Sequence, residues 1–365
     1  MRKLIALLMS VAFAPMAWAQ SGDWKKQWDE TLAAARMEGK VAVAGSPDPV
    51  MRNRIIPRFT ELFGIQVEFL AGRSSQIISK ARLERAAGQY LVDVYMSGAG
   101  TTFFTLMPEK MLDPLKPLLI HPDVTDAAKW KRGKPWFVDE EGRHVLMLFS
   151  SVQSLLFINT DHVKKEEMRS VQDLLNPKWA GKISSEDPLG RAGGGGAGSS
   201  LHWFHELGAD YMRRLHVGQK ITVSGDRRQM VDWLAQGKYP ICLSCKEEGA
   251  SDLKQEGFKL FEVFELEGIP NRINSSPFLL SYANKAPHPN AARIFVNWLA
   301  GKEALEIYSR ENGTATLRTD VDESFLDPRV IPKPGVHYVD VTDIKWITSG
   351  RKEAAEKILQ ALKKQ

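Results

Sequence analysis

The stretch "GIQVEFLAGRSSQIISKARLERAAG", Gly64 to Gly88, changes its hydrophobic period half-way along. Ile65, Val67 and Phe69 alternate with polar neighbours, the spacing of a strand with one face buried. A Gly-Arg-Ser-Ser turn follows, and Ser74 or Ser75 is placed to cap a helix over "QIISKARLERAAG". Working outward, "KVAVAGSPDP" (Lys40 to Pro49) is a short β-rich run ending in a Gly-Ser-Pro turn. Ile55, Ile56, Phe59 and Phe63 then recur at helix spacing. "VDVYMSGAGTT" (Val92 to Thr102) is a third strand with a small-residue turn, and "GQKITVSGDRRQMVDWLAQGKYPICLS" repeats strand, turn, helix, strand. Strands alternating with helices imply an α/β fold with mostly parallel sheets.

In such sheets ligands bind beyond the carboxyl ends of the strands, where these turns lie. The candidate binding residues are therefore Ser46 in the first turn, Arg73, Ser74 and Ser75 in the second, and Ser97 in the third. Ser150 and Ser151, ahead of "VQSLLFINT", form a fourth turn. A fifth holds six glycines between Gly190 and Ser200, in "DPLGRAGGGGAGSS". Glycine loses more backbone entropy on folding than any other residue, so such a run needs a reason. It follows "GKISSEDP" and precedes "LHWFHELGADYMRRL", the place of a strand-to-helix turn rather than of a linker. Gly193 and Gly194 can offer backbone N–H groups to a carboxylate or phosphate, with Arg191 adding charge and a planar fork. Arg227, after Ser224-Gly225-Asp226, is the reserve cation.

The amino terminus, "MRKLIALLMSVAFAPMAWAQ", joins a basic start to an apolar core and an Ala17-Trp18-Ala19 cleavage site. It reads as a signal peptide, residues 1–19, cleaved after Ala19 for export to the periplasm, and it is too short to span a bilayer. The formal charge is +5, and loss of Arg2 and Lys3 leaves +3, spread among acids. A nucleic-acid binder would cluster its basic residues, so no nucleic-acid partner is expected. Cys242 and Cys245 stand at the end of a strand rather than at a helix start, which favours a structural disulfide or buried thiols over redox catalysis.

Enzyme motifs fail on their details. Gly193 to Gly198 satisfies G-x-G-x-x-G only because four glycines match almost anything, and Ser199 stands where a P-loop needs lysine. His202 and His205 lie one helical turn apart, but Glu206 follows the pair instead of falling inside it as in H-E-x-x-H. A secreted metal-dependent hydrolase using those two histidines stays as a second alternative. The expectation is no catalytic residue, no cofactor and no resident metal.

Five segments carry a family resemblance: "IIPRFTELFGIQVEF", "RLERAAGQYLVDVYMSG", "LLFINT", "DLLNPKWAGKISSEDP" and "APHPNAARIFVNWLAGKEALEIYSRENG". In this order they resemble the periplasmic solute-binding proteins of bacterial ABC importers, in the group that includes ferric-ion, phosphosugar and phosphonate binders. The resemblance implies a monomeric, two-lobed type II binding protein that closes on a small solute and delivers it to an inner-membrane permease. It implies crossover hinge strands near residues 115–125 and 265–275. Lobe 1 is then expected from residues 20–120 plus 271–330 and lobe 2 from 121–270. Residues 331–365 would form a C-terminal extension ending in a helix. The ferric members use a pair of neighbouring tyrosines, whereas Tyr211, Tyr239 and Tyr282 are isolated here. A small anionic solute is thus the first reading, an organic acid, phosphosugar or phosphonate, and ferric ion the alternative.

Overall fold

The structure, a computed structural model, describes residues 20–187, 197–245, 253–254, 256–275 and 277–362. The first sheet begins with β1 (Lys40–Gly45), β2 (Gln66–Ala71) and β3 (Val94–Ser97), with β1 parallel to both neighbours. The short β4 (Leu112–Asp113), β5 (Trp136–Phe137) and β6 (Val145–Met147) follow in the chain. The sheet is completed by β14 (Leu279–Ala283), which returns from late in the chain to lie antiparallel to β3, β4 and β6. The order is β2-β1-β3-β14-β6-β5, with β4 also on β14.

The helix Ile56–Phe63 presents Phe59 and Phe63 to the returning helix Pro289–Leu299, where the Phe59 ring lies 5.2 Å from Phe295 and 5.5 Å from Trp298. Phe59 and Phe295 are fully buried, which stabilises the lobe by about 1.5–3 kcal/mol for each side chain. The amino-terminal helix Gln20–Glu38 ends by capping the same partner: the Glu38 carboxylate accepts from the backbone N–H groups of Asn290 and Ala291. Those groups would otherwise be orphan donors at a helix start.

The second sheet is β10-β9-β11-β8-β12: β8 (Leu156–Asn159), β9 (Ile183–Glu186), β10 (Thr222–Ser224), β11 (Ile241–Cys242) and β12 (Leu260–Val263). β9 is parallel to β10 and β11, whereas β8 runs antiparallel to β11 and β12. Its own core holds Trp203, Phe204, Leu215, Ile158 and Ile183. The helix Ala197–Arg213 breaks its regular path at Gly208, whose φ of 75° is the left-handed region that glycine enters freely.

Between the sheets lies a third of three strands, β7 (Ser151–Val152), β13 (Arg272–Asn274) and β15 (Val339–Asp340), in the order β15-β13-β7. The chain crosses outward through β7 and back through β13. The first crossing is therefore not at 115–125. Leu115 and Val124 belong to the first core, and Asn297 of the returning helix accepts from the N–H groups of Ile120 and His121. β5 and β6 likewise pair in the first sheet, so residues 121–147, expected in lobe 2, pack with lobe 1. Residues 331–365 do not stand apart either. After β15 they bury Trp346 and Ile347 in the first core, and the helix Arg351–Leu362 then buries Ala354, Ile358 and Ala361 in the second.

The helix after β2 starts at Ser74 with Arg73 in the capping position. Neither Ser74 nor Ser75 is its cap; Gln76 instead reaches back to accept from the Arg73 N–H at 3.2 Å. No helix among the described residues is long and apolar enough to cross a membrane. Cys242 and Cys245 form a disulfide that closes the end of β11.

Candidate functional site

The carboxyl ends of β1, β2 and β3 share one sheet edge. At β1 a side chain on Gly45 would stand 2.9 Å from the Met96 carbonyl, so only glycine lets the two strands approach so closely. Ser46 follows, exposed, and the turn is held by Asp48, which accepts from the Met51 N–H at 3.0 Å and from the Tyr308 hydroxyl at 3.0 Å. Burial, reinforced by the Asp48 carboxylate, keeps the Tyr308 phenol protonated well above its ordinary range. At β2 the Arg73 side chain is exposed, Ser74 is half-buried and Ser75 exposed. At β3 Ser97 is nearly buried, and its hydroxyl lies 2.8 Å from that of Thr102, which also donates to the Gly98 carbonyl.

The serines Ser150 and Ser151 of the fourth turn are both buried. Ser151 Oγ is 2.7 Å from Thr314 Oγ1 and accepts from the Ala315 N–H at 2.7 Å. Ser150 is buried, with its N–H donated to the Ala315 carbonyl. This pair stitches β7 to the 314–316 segment. The Ser151 hydroxyl is thus engaged on both sides within the fold.

In the second lobe β9 ends at Glu186, whose N–H donates to Ser244 Oγ at 2.5 Å, followed by Asp187; both side chains are buried. Arg191, Gly193 and Gly194 lie outside the described residues. Arg227 opens the helix Arg227–Ala235, and Asp226 caps it by accepting from the Gln229 N–H at 3.0 Å. Arg272 of the hinge strand is buried near Glu186. Burial lowers its guanidinium to about 10, against the raising effect of that carboxylate.

The two histidines are packing groups. His202 is fully buried, and its Nε2 lies 2.9 Å from the Pro270 carbonyl, which can only accept. Burial, with Arg272 nearby, pushes the ring down to about 3, so it is neutral. His205 pairs with Glu206 at 2.7 Å, and its ring stacks edge-on against Trp346 at 4.7 Å. Among the described residues no group of three or more His, Cys, Asp or Glu side chains could hold a metal ion. The tyrosines are engaged separately: Tyr211 is buried and donates to the Val171 carbonyl, and Tyr239 packs on Trp233 at 5.0 Å.

One cation that sequence reasoning passed over also reaches this edge. Arg351, where the helical turn Trp346–Gly350 runs on into the helix Arg351–Leu362, places its guanidinium 5.7 Å from the Phe104 ring, beside Gly100 of the β3 turn. Nothing local in "SGRKEAAEK" singles it out, since the chain is already helical ahead of Arg351 and its N–H donates to the Trp346 carbonyl.

Residues 54–334 match the family model described as bacterial extracellular solute-binding protein. The chain belongs to this family. Members bind a solute and hand it to the permease of an ABC importer; they do not catalyse. Among solved structures, this solute-binding protein is similar to AfuA from Actinobacillus pleuropneumoniae, described with exogenous fructose-6-phosphate bound. The identity is 18%, covering 89% of this chain and 99% of that one, with a TM-score of 0.63. IdiA (FutA) from Trichodesmium, in complex with iron and citrate, gives 16% identity, the same coverages and a TM-score of 0.63. Iron-bound HitA from Pseudomonas aeruginosa gives 15% identity, 88% and 99% coverage, and a TM-score of 0.64. These likenesses are of fold, the two-lobed type II binding protein with crossover hinge strands.

Proposed function

We propose that this solute-binding protein is exported to the periplasm and captures a small anionic solute, an organic acid, phosphosugar or phosphonate, for an inner-membrane permease. The observation that carries the reading is the charge at the carboxyl edge of β2-β1-β3. Arg73 at the end of β2 and Arg351 over the end of β3 engage no carboxylate among the described residues. Their turns lie two strands apart, about 10 Å, a span that a phosphorylated sugar or a tricarboxylate bridges. Arginine suits both groups because its fork matches carboxylate and phosphate oxygens in pairs. AfuA with a sugar phosphate, and IdiA (FutA) with iron and citrate, support the class of ligand.

The test is thermal unfolding of the mature protein with inorganic phosphate, fructose 6-phosphate, citrate, methylphosphonate, neutral fructose and ferric ion. A ligand at a hundredfold excess over Kd stabilises by about 2.7 kcal/mol, a clear rise in midpoint. Stabilisation by one or more anions, and not by fructose, is expected. Stabilisation by ferric ion alone, or by fructose as well as by its phosphate, would overturn the anionic reading. Mass spectrometry of the exported protein should find Gln20 as its first residue.

A further inference from the structure

The segment beyond the family-matched residues 54–334 joins the hinge and both cores, and it delivers one arginine to the β3 turn. Trp346 and Ile347 anchor it in the first core, Ala354 and Ile358 in the second, and Arg351 projects from between them. The guanidinium is half-buried, yet among the described residues no carboxylate, carbonyl or hydroxyl partners it; its contact is the ring face of Phe104. Burial accordingly lowers its pKa, and no acid raises it. Among the described residues, most other half-buried guanidinium groups do find acceptors, as Arg85 and Arg329 show.

Three further features shape the place. A side chain on Gly100 would stand 3.3 Å from an Arg351 terminal nitrogen, so glycine keeps that approach open. Phe104 is 55% exposed, a large aromatic left uncovered beside the cation. Arg351 lies within a continuous helical path, its N–H donating to the Trp346 carbonyl, so the backbone that carries it is held on both sides. A cation that is partly desolvated, held on a fixed backbone and flanked by an open aromatic is pre-organised for an anion that arrives later.

We infer that Arg351 binds the anionic group of the solute, a phosphate or a carboxylate, against the Gly98–Thr102 turn. The inference rests on the anionic reading above and adds to it the residue that reads the charge and the segment that supplies it. Because the helix carrying Arg351 is rooted in the second core while the turn belongs to the first, an anion held there links the lobes and favours their closed arrangement.

The test uses the full mature chain and calorimetry with inorganic phosphate, fructose 6-phosphate and citrate. Arg351→Gln removes the charge, Arg351→Lys keeps it without the fork, and Gly100→Val displaces the guanidinium without altering it. Arg82→Gln, on an exposed pair with Glu109, is the control. For the anion the parent binds best, the Gln and Val variants should weaken binding about 10- to 100-fold and the Lys variant less, with Arg82→Gln unchanged. Because Gly100→Val keeps the arginine and only shifts its guanidinium, it keeps the test valid should Arg351→Gln fail to fold. If the Gln and Val variants that fold bind as tightly as the parent, Arg351 is not the anion residue, although the anionic reading stands. A parent that binds none of the three anions overturns both.

Discussion

Arg318 and Asp123, 195 positions apart in the chain, meet at 2.9 Å inside the first lobe. The guanidinium is fully buried and also forms a two-point pair with Asp320, Nε to Oδ1 and Nη2 to Oδ2, both at 2.8 Å. Its Nη1 donates to the carbonyls of Asp123 and Ala300. The opposite oxygen of Asp123 accepts from the Lys302 N–H at 2.9 Å, at the start of the helix Lys302–Asn312. One arginine thereby fastens the 118–125 loop to the two returning helices.

Removing the buried guanidinium leaves Asp123, Asp320 and two carbonyls without their donor, although both carboxylates keep partial access to water. Arg318→Ala should therefore cost about 3 kcal/mol, the low end for breaking a buried pair. Chemical denaturation should show a lower midpoint for the first lobe, and Arg318→Lys should recover only part, since an ammonium cannot serve both acids and both carbonyls. A loss within experimental error would mean that the network contributes nothing net.

Acid should destabilise the second lobe through its buried imidazoles. Burial lowers His202 from 6.5 to about 3, with Arg272 adding to the effect, and lowers His216 to about 4 despite the opposing Asp187. Below pH 6.5 the unfolded chain takes up protons that the folded chain refuses, so falling pH favours unfolding. The contribution is whole above about pH 6.5 and is lost as pH drops toward 3 for His202 and 4 for His216. Every tenfold loss of proton affinity on folding corresponds to about 1.4 kcal/mol. His202→Gln, which can still donate to the Pro270 carbonyl, should flatten the decline in unfolding midpoint between pH 6.5 and 4. An unchanged slope would show that His202 is protonated as easily folded as unfolded.

The sequence made the first three strand-turn-helix units readable because each is long enough to show a period. Ile65, Val67 and Phe69 alternate within and just ahead of β2, and Phe59 and Phe63 fall on one helical face. Asp226 was readable as part of a turn and serves as a helix cap. The hinge was not readable at β7 and β15, since two residues carry no period. The loop around Ile120 and His121 is placed by Asn297, a contact some 177 residues away that no local pattern announces. Ser151 had the right composition for a binding turn, but Thr314 and Ala315 claim its hydroxyl. Arg351 was hidden in a helix whose amphipathic pattern alone accounts for Ala354 and Ile358.

The disulfide should matter modestly to stability. Cys242 and Cys245 are three positions apart and both buried, so the bond closes a very short loop. The loop-entropy relation gives about 2 kcal/mol for so short a closure, near the low end for disulfides. Replacing both cysteines with serine should lower the unfolding midpoint by a few degrees and leave the anion affinity nearly unchanged. A large loss of affinity would mean that the loop after β11, next to Ser244, shapes the binding surface directly. Alkylation of the unreduced, unfolded protein should add no label.

Arg73 and Arg191 are two arginines of the strand-end turns that the sequence offers to an anion. Arg73 stands at the capping position of the helix Ser74–Ala86 at the end of β2, exposed and without an acidic partner among the described residues. Arg191 lies in the glycine-rich sequence that follows β9, outside the described residues, and is a candidate only by the strand-end rule. A hydrogen bond from a charged donor contributes roughly 1.5–3 kcal/mol, so either arginine replaced by alanine should weaken binding about 10- to 100-fold. The alternative is that both guanidinium groups are merely solvated, in which case neither change matters. Calorimetry with the best anion from the thermal screen separates these. If Arg73→Ala alone weakens binding, the anion is held by the first lobe with Arg351, and the glycine turn is only a connection. If Arg191→Ala alone does so, the phosphate or carboxylate sits on the second lobe, and Arg73 is a surface group. Losses from both, smaller in the double variant than their product, place the two arginines on one shared anionic group.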